Sequence, residues 1–221
     1  DRSSDGGRTA AIVALAATLY FLVAAVATHL VSTQYDPVRD YISDYAVGPH
    51  GWIYSSAFLA SCIGCIALAV ALWVILPIPA RSPVGLILLA VVGLTYAIDF
   101  YFPTEILAPG APPQTRIGEI HLVAALIGWV AFIVAAFLIA GRLQHDPRFK
   151  HIHAAAVTLS WLAAALFVLL IAVVVATLPI GGLVEKAFIL DRNVWALVLT
   201  IAALRAVGVT VAPAGLRADR A

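Results

Sequence analysis

Six long apolar stretches constrain what this chain can fold into more than any other feature of its sequence. A bilayer core is about 30 Å thick, so a helix that rises about 1.5 Å per residue needs roughly 20 apolar residues to cross it. No stretch alternates as the strands of a membrane barrel do. The predicted spans are approximately residues 10–31, 52–76, 84–102, 118–141, 152–178 and 193–211. The sequence therefore predicts an all-α polytopic membrane protein, with six transmembrane helices in one bundle and a single domain over residues 1–221.

The composition supports the same class of protein. Hydrophobic residues make up 63% of the chain, charged residues 11%, and the mean hydropathy is +1.02. A water-soluble domain needs more polar surface than this. The formal net charge of +1 and the lack of a basic stripe argue against a nucleic-acid partner. The expected surroundings are membrane lipid and, as a further option, other membrane proteins.

Lysine and arginine predict the orientation, because they accumulate in short cytoplasmic loops. With the N-terminus inside, eight of them fall on the cytoplasmic side and four in external loops. The first set is Arg2, Arg8, Arg81, Arg142, Arg148, Lys150, Arg217 and Arg220, and the second is Arg39, Arg116, Lys186 and Arg192. We therefore expect a multi-pass protein of the bacterial inner membrane with both termini in the cytoplasm. Most acidic residues then lie at the external end, where a functional site is expected.

The stretch YDPVRDYISDY, residues 35–45, concentrates three aspartates between the first two predicted helices. Asp36 before a proline is typical of a helix start, and the apolar residues from Val38 to Tyr45 recur at the spacing of one helical face. A short interfacial helix is predicted here. Either its charges face water in the headgroup layer, or it folds back over the bundle so that Ser43 and Asp44 reach an internal pocket.

Three ionisable residues share one depth near the external end. Asp99 lies in the third predicted helix, where a carboxylate is costly and usually faces the bundle interior. His29 and His121 lie near the external ends of the first and fourth helices. If those helices adjoin, the three side chains suit zinc or another divalent metal, and they equally suit a metal-free hydrogen-bond network. Haem held by the two histidines is disfavoured.

The proline-rich loop after the third helix brings further charges toward the same end. Glu105, Arg116 and Glu119 lie in or just after this loop, and the last two are spaced as an i,i+3 pair. Such a pair contributes only about 0–1 kcal/mol at a surface, so its value would lie in positioning a ligand. We predict that these three residues, with His29 and Asp44, contribute to ligand binding.

Three short motifs resemble a known family. Ile42-Ser43-Asp44 follows the first helix, Phe102-Pro103-Thr104 ends the third, and His121 opens the fourth in GEIHLV. This pattern resembles the bacterial membrane family labelled domain of unknown function 998, with Glu105 where the family pattern has aspartate. The resemblance implies six membrane helices and no particular reaction. A more distant similarity is to membrane hydrolases that combine serine, aspartate and histidines near one face, although the chain lacks their H-x-x-x-H pair.

The sequence leaves three classes of function open. The first is a protein with an external polar pocket for a cation, a lipid headgroup or a small polar ligand, with lipid or ester hydrolysis as its catalytic version. Asp99 and His121 would then activate water or hold a metal, and Ser43 would orient substrate or act as nucleophile. The second is a non-catalytic subunit of a larger membrane complex. The third, a transporter, is disfavoured because no acid–base chain continues to the inner side.

Overall fold

The described part of the protein contains six long helices, as the apolar stretches predicted. A computed structural model describes residues 2–107 and 111–208, and no strand occurs in those two ranges. The helices are α1 (Arg2–Val31), α2 (Gly51–Ile75), α3 (Pro83–Tyr101), α4 (Arg116–Leu143), α5 (His153–Val175) and α6 (Gly181–Gly208). All six are long and apolar enough to cross a membrane. The all-α, multi-pass class is therefore confirmed.

Local sequence sets the starts of α3 and α4. The Ser82 hydroxyl accepts a hydrogen bond from the Gly85 amide, and Pro83 occupies the first helical position, where its missing amide costs nothing. The Thr115 hydroxyl accepts in the same way from the Gly118 amide, 3.1 Å away. These caps place the start of α4, and with it His121, at a defined height in the bundle.

The predicted start of the sixth helix is wrong by twelve residues. The prediction began at residue 193, whereas α6 begins at Gly181, and the predicted residues 209–211 lie outside the described ranges. Glu185, Lys186, Asp191 and Arg192 lower the hydropathy of this segment, which made it read as an external loop. In the folded protein Glu185, Asp191 and Arg192 are buried against the other helices. Tertiary packing has overridden the hydropathy signal.

The segment between α1 and α2 is less helical than predicted. Its helical part is a five-residue 3₁₀ helix, Ile42–Ala46, preceded by a turn. Asp36 does act as a cap, because its carboxylate accepts the amides of Val38 and Arg39, but it caps that turn. The amide of Asp36 in turn donates to the Asp40 carboxylate at 2.7 Å. Two of the three aspartates in this stretch are therefore used in local turn structure.

The turn before the 3₁₀ helix docks on the first turn of α6. The Leu183 amide donates to the Val38 carbonyl at 2.9 Å, and the Gly182 amide donates to the Arg39 carbonyl at 3.3 Å. The first amides of a helix have no partner within it, so these carbonyls complete the start of α6. We call residues 36–46 the strap, because they run across the start of α6.

The helices pack in a ring. Each helix contacts its neighbours along the chain, and α6 closes the ring against α1. Large apolar side chains such as Val23, Ile87, Val123 and Val168 are exposed on the outer surface, as expected for helices that face lipid. A cavity opens at the end of the ring where α1, α3 and α5 finish and α2, α4 and α6 begin. We call this end the pocket end. The ring separates α1 from α4, which matters for the predicted site.

Candidate functional site

A cavity of about 390 Å³ opens at the pocket end, between the strap, the α3–α4 loop and helices α4, α5 and α6. One part of its wall is apolar and comes from α4 and α5. That part includes Leu122, Ala125, Leu126, Trp129, Leu170, Ile171 and Val174. The other part carries the polar groups, namely Tyr41, Ser43, Asp44, Thr104, Glu105, His121 and Glu185. The cavity therefore has an apolar side and a polar side that carries three carboxyl groups.

The strap contributes Ser43 and Asp44 to the cavity wall. Their position agrees with the interpretation in which YDPVRDYISDY folds back over the bundle. Asp44 is buried, and its carboxylate accepts the Tyr41 amide at 2.9 Å. Burial raises the pKa of the Asp44 carboxyl to about 6, and the nearby Asp40 carboxylate adds to this. The Tyr41 hydrogen bond and the Lys186 ammonium oppose the increase in pKa.

The raised pKa of Asp44 predicts a specific pH dependence of stability. Between pH 4 and pH 6 the unfolded chain ionises this carboxyl while the folded chain keeps it protonated, so unfolding becomes easier as the pH rises. Above about pH 6 both states are ionised and the difference is constant. The variant Asp44→Asn should therefore gain about 2 kcal/mol relative to the wild type across this interval. Thermal unfolding in detergent at pH 4, 5, 6 and 7 measures it, and parallel curves for the two proteins would contradict it.

Glu185 links α6 to the strap. Its carboxylate accepts the backbone amide of Ile42 at 2.6 Å, and its side chain is buried at the cavity wall. Gly181 and Gly182 make this contact possible, because a Cβ at Gly182 would collide with the Asp40 carbonyl. Sequence reasoning placed Glu185 in an external loop and did not include it in the site. The pair of glycines followed by a lone acid was the available signal.

His121 and Asp99 are in contact, as the sequence predicted for neighbouring third and fourth helices. The His121 Nδ1 atom lies 2.9 Å from the Phe102 carbonyl oxygen and 3.5 Å from Asp99 Oδ1. A carbonyl oxygen can only accept, so Nδ1 carries a proton. The neutral ring then keeps a lone pair on Nε2, the form that acts as a base. Asp99 lies behind His121, and its Oδ1 is buried without a hydrogen-bond partner.

Glu105 lies at the cavity wall, but its carboxylate is engaged in the structure of α4. It accepts the amides of Gln114 and Thr115 and the Thr115 hydroxyl, at 2.9, 3.1 and 3.2 Å. Gly118 allows this approach, since a Cβ there would meet the Glu105 side chain. This carboxylate closes the α3–α4 loop onto the start of α4.

Three of the predicted ligand-binding residues lie outside the cavity wall. Arg116 and Glu119 pair with each other at 3.2 Å, and their side chains are 92% and 51% exposed. His29 is on α1, where Nδ1 lies 2.7 Å from the Ala25 carbonyl and the ring packs on Tyr45. The helix ring explains the outcome for His29, because α1 packs mainly against α2 and α6.

The predicted metal ligands are therefore only partly assembled. Asp99 and His121 lie together, but His29 is not grouped with them. Within residues 2–107 and 111–208 there is no group of three or more His, Cys, Asp or Glu side chains that could hold a metal ion. Asp99 Oδ1 approaches His121 Nδ1 to 3.5 Å, but the hydrogen-bond partner of Nδ1 is the Phe102 carbonyl.

The fold defines a multi-pass, all-helical membrane protein, and the cavity opens at one end of its bundle. Comparison with family models gives one assignment: the model described as "Protein of unknown function (DUF998)" matches residues 15–202. The chain belongs to this family. Comparisons with curated proteins and with solved structures found no match.

Proposed function

We propose that this protein binds an amphiphilic ligand, such as a lipid, whose headgroup is cationic or rich in hydrogen-bond donors. The observation that carries the proposal is the division of the cavity wall into an apolar side on α4 and α5 and an acidic side at the strap and α6. A volume of about 390 Å³ lies in the range of small-molecule sites, roughly 300–1,000 Å³.

The charges at the cavity favour a cation over an anion. Asp44, Glu105 and Glu185 line it, whereas no lysine or arginine is among its described lining residues. The nearest cation of α6, Lys186, donates to the backbone carbonyls of Pro37 and Asp40. An acidic cleft with apolar walls concentrates cations and donor groups.

The proposed location is the bacterial inner membrane, with both termini in the cytoplasm and the pocket end outside. The earlier start of α6 places Arg192 inside the bundle, where it is buried, so it no longer counts as a basic residue of an external loop. Arg39, Arg116 and Lys186 are then the basic residues left at the pocket end. The positive-inside rule favours this orientation.

Trp129 provides a direct test of amphiphile binding, because its side chain lines the apolar wall. The probe is a dodecylammonium ion with a bromine on its chain, added to the protein in lipid nanodiscs. We expect saturable quenching of tryptophan fluorescence that is lost in Trp129→Phe and weakened about tenfold in Glu185→Gln, equivalent to 1.4 kcal/mol. Trp161→Phe is the matched control, since Trp161 is exposed on the outer surface.

A brominated dodecyl sulfonate of the same chain length tests the charge preference. We expect it to quench Trp129 at least about tenfold less effectively, because it places a negative charge beside carboxylates. Equal quenching by the two amphiphiles, with no effect of Glu185→Gln, would show that the chain merely partitions into the bilayer near Trp129 and would reject the proposal.

Hydrolysis of a lipid or ester is a second candidate function, and the His121 geometry favours it. The Phe102 carbonyl fixes the proton on Nδ1, which leaves Nε2 as the base for a water molecule or for the Ser43 hydroxyl. Ser43 lines the same cavity. Asp99 would stabilise the imidazolium that forms when Nε2 takes the proton.

Ester hydrolysis is tested with a short-chain p-nitrophenyl ester and protein in nanodiscs. His121→Asn should lower kcat at least about 100-fold, and Ser43→Ala separates a nucleophile from a water-activating mechanism. Arg116→Gln, at an exposed side chain outside the cavity wall, is the control. Turnover that is unchanged in His121→Asn would refute the catalytic version and leave amphiphile binding to its own test.

A further inference from the structure

A second and much smaller cavity lies deeper in the bundle and is not part of the site described above. Its volume is about 20 Å³, and its lining includes Thr18, Ser61, Cys65, Arg192, Asn193 and Trp195. Arg192 follows Glu185 by seven residues on α6, which places it about 10 Å further along the helix axis. Neither amphiphile binding nor ester hydrolysis, as proposed, uses these residues.

Arg192 is the principal charged group of this cavity. Arg192 is only 5% exposed. Its guanidinium lies over the rings of Tyr96 and Phe21, at 4.5 and 5.3 Å from their respective centroids. Arginine keeps its positive charge in proteins. None of the ion pairs in the described parts of the chain involves it, and the carboxylate of the preceding Asp191 is not within ion-pair distance. The ring faces compensate the charge only in part.

The cavity presents more donors than acceptors. Arg192 Nε and Trp195 Nε1 are both buried and have no hydrogen-bond partner. Arg192 Nη2 donates to the Ser61 hydroxyl at 3.4 Å, which leaves the hydroxyl proton free to donate in turn. Asn193 donates its amide to the Ile189 carbonyl, so its side-chain oxygen is an acceptor in this set. The Thr18 hydroxyl is used on the Ala14 carbonyl.

We propose that this cavity binds a small monovalent anion of the chloride class. Such an ion accepts hydrogen bonds from Arg192, Trp195 and Ser61 together, and it neutralises the buried guanidinium. A volume of about 20 Å³ takes one particle of water or chloride size and excludes a phosphate or carboxylate group. A water molecule would fill the space but would leave the positive charge uncompensated.

The ³⁵Cl NMR linewidth of chloride tests the proposal with the purified protein in detergent micelles. We expect excess broadening that saturates with chloride, is displaced by bromide and is unaffected by gluconate. Arg192→Gln should abolish the excess broadening, and Trp195→Phe should weaken chloride binding at least about fivefold because one donor is lost. Arg142→Gln and Trp161→Phe are matched controls at exposed positions, and they should behave as the wild type does.

If Arg192→Gln does not fold, the outcome rests on Trp195→Phe and on Ser61→Ala, which each remove a single donor. Broadening that is absent in the wild type, or that persists unchanged in both of those variants, would overturn the proposal and leave a structural water as the occupant. The cavity under the strap is not involved, so the result does not depend on amphiphile binding.

Discussion

Replacement of Gly182 by alanine is expected to lower the free energy of unfolding by about 3 kcal/mol. A Cβ at this position would collide with the carbonyl of Asp40, so the strap must move away from α6. That movement weakens the hydrogen bonds from Gly182 and Leu183 to the strap carbonyls. Thermal or denaturant unfolding of the purified protein in detergent measures the loss.

Gly141→Ala is the matched control for this prediction. Gly141 lies near the end of α4 and has no atom within 4 Å of an added Cβ. Because glycine is a poor helix former, the alanine should stabilise the protein by about 0.5–1 kcal/mol. Equal effects of the two substitutions would show that the strap does not pack on α6 as described.

Removal of the Glu185 carboxylate is expected to have the second largest effect. Glu185→Ala leaves the buried amide of Ile42 without an acceptor, which should cost about 2 kcal/mol of stability. The strap should also become more accessible, since it loses a direct contact with the α6 side chains. Hydrogen exchange of the amides of residues 41–45, measured by mass spectrometry, follows this opening.

Glu185→Gln separates the hydrogen bond from the charge. Glutamine keeps a side-chain oxygen that can accept the Ile42 amide, so its stability should lie within about 0.5 kcal/mol of the wild type. The same variant should still lose affinity for the cationic amphiphile. If glutamine destabilises the protein as much as alanine does, then the charge of Glu185, and not its hydrogen bond, holds the strap.

Hydropathy predicted most of the helix ends closely, although α1 begins at Arg2, eight residues before its predicted start. Helices α2, α3 and α4 begin and end within two residues of the predicted bounds, because apolar length is what a bilayer selects. Hydropathy failed at α6, whose first turns bury Glu185 and Arg192 against other helices. A hydropathy profile treats every charged residue as exposed. Only the three-dimensional structure shows the partners that allow such a residue to be buried.

The sequence predicted the depth of the site in the membrane better than it predicted which residues form the site. Asp99 and His121 were identified because an ionisable residue in a membrane helix needs a partner, and they are in contact. His29 lies at a similar position near the external end of its own helix, yet its imidazole packs on Tyr45 in another part of the helix bundle. Depth is encoded in the position along a helix, whereas the angular position around a bundle depends on which helices adjoin.

The sequence by itself determined the membrane-spanning class, the number of helices and the end at which its acids gather, since each follows from local apolar length and composition. Tertiary structure alone decided that the strap docks on α6, that Glu185 joins Asp44 and His121 at one cavity, and that Arg192 lies beside Trp195. Those choices depend on the order in which six similar helices pack into a ring. Hydrophobicity is non-directional and cannot specify that order, so the close contacts of a few glycines and buried polar groups do so.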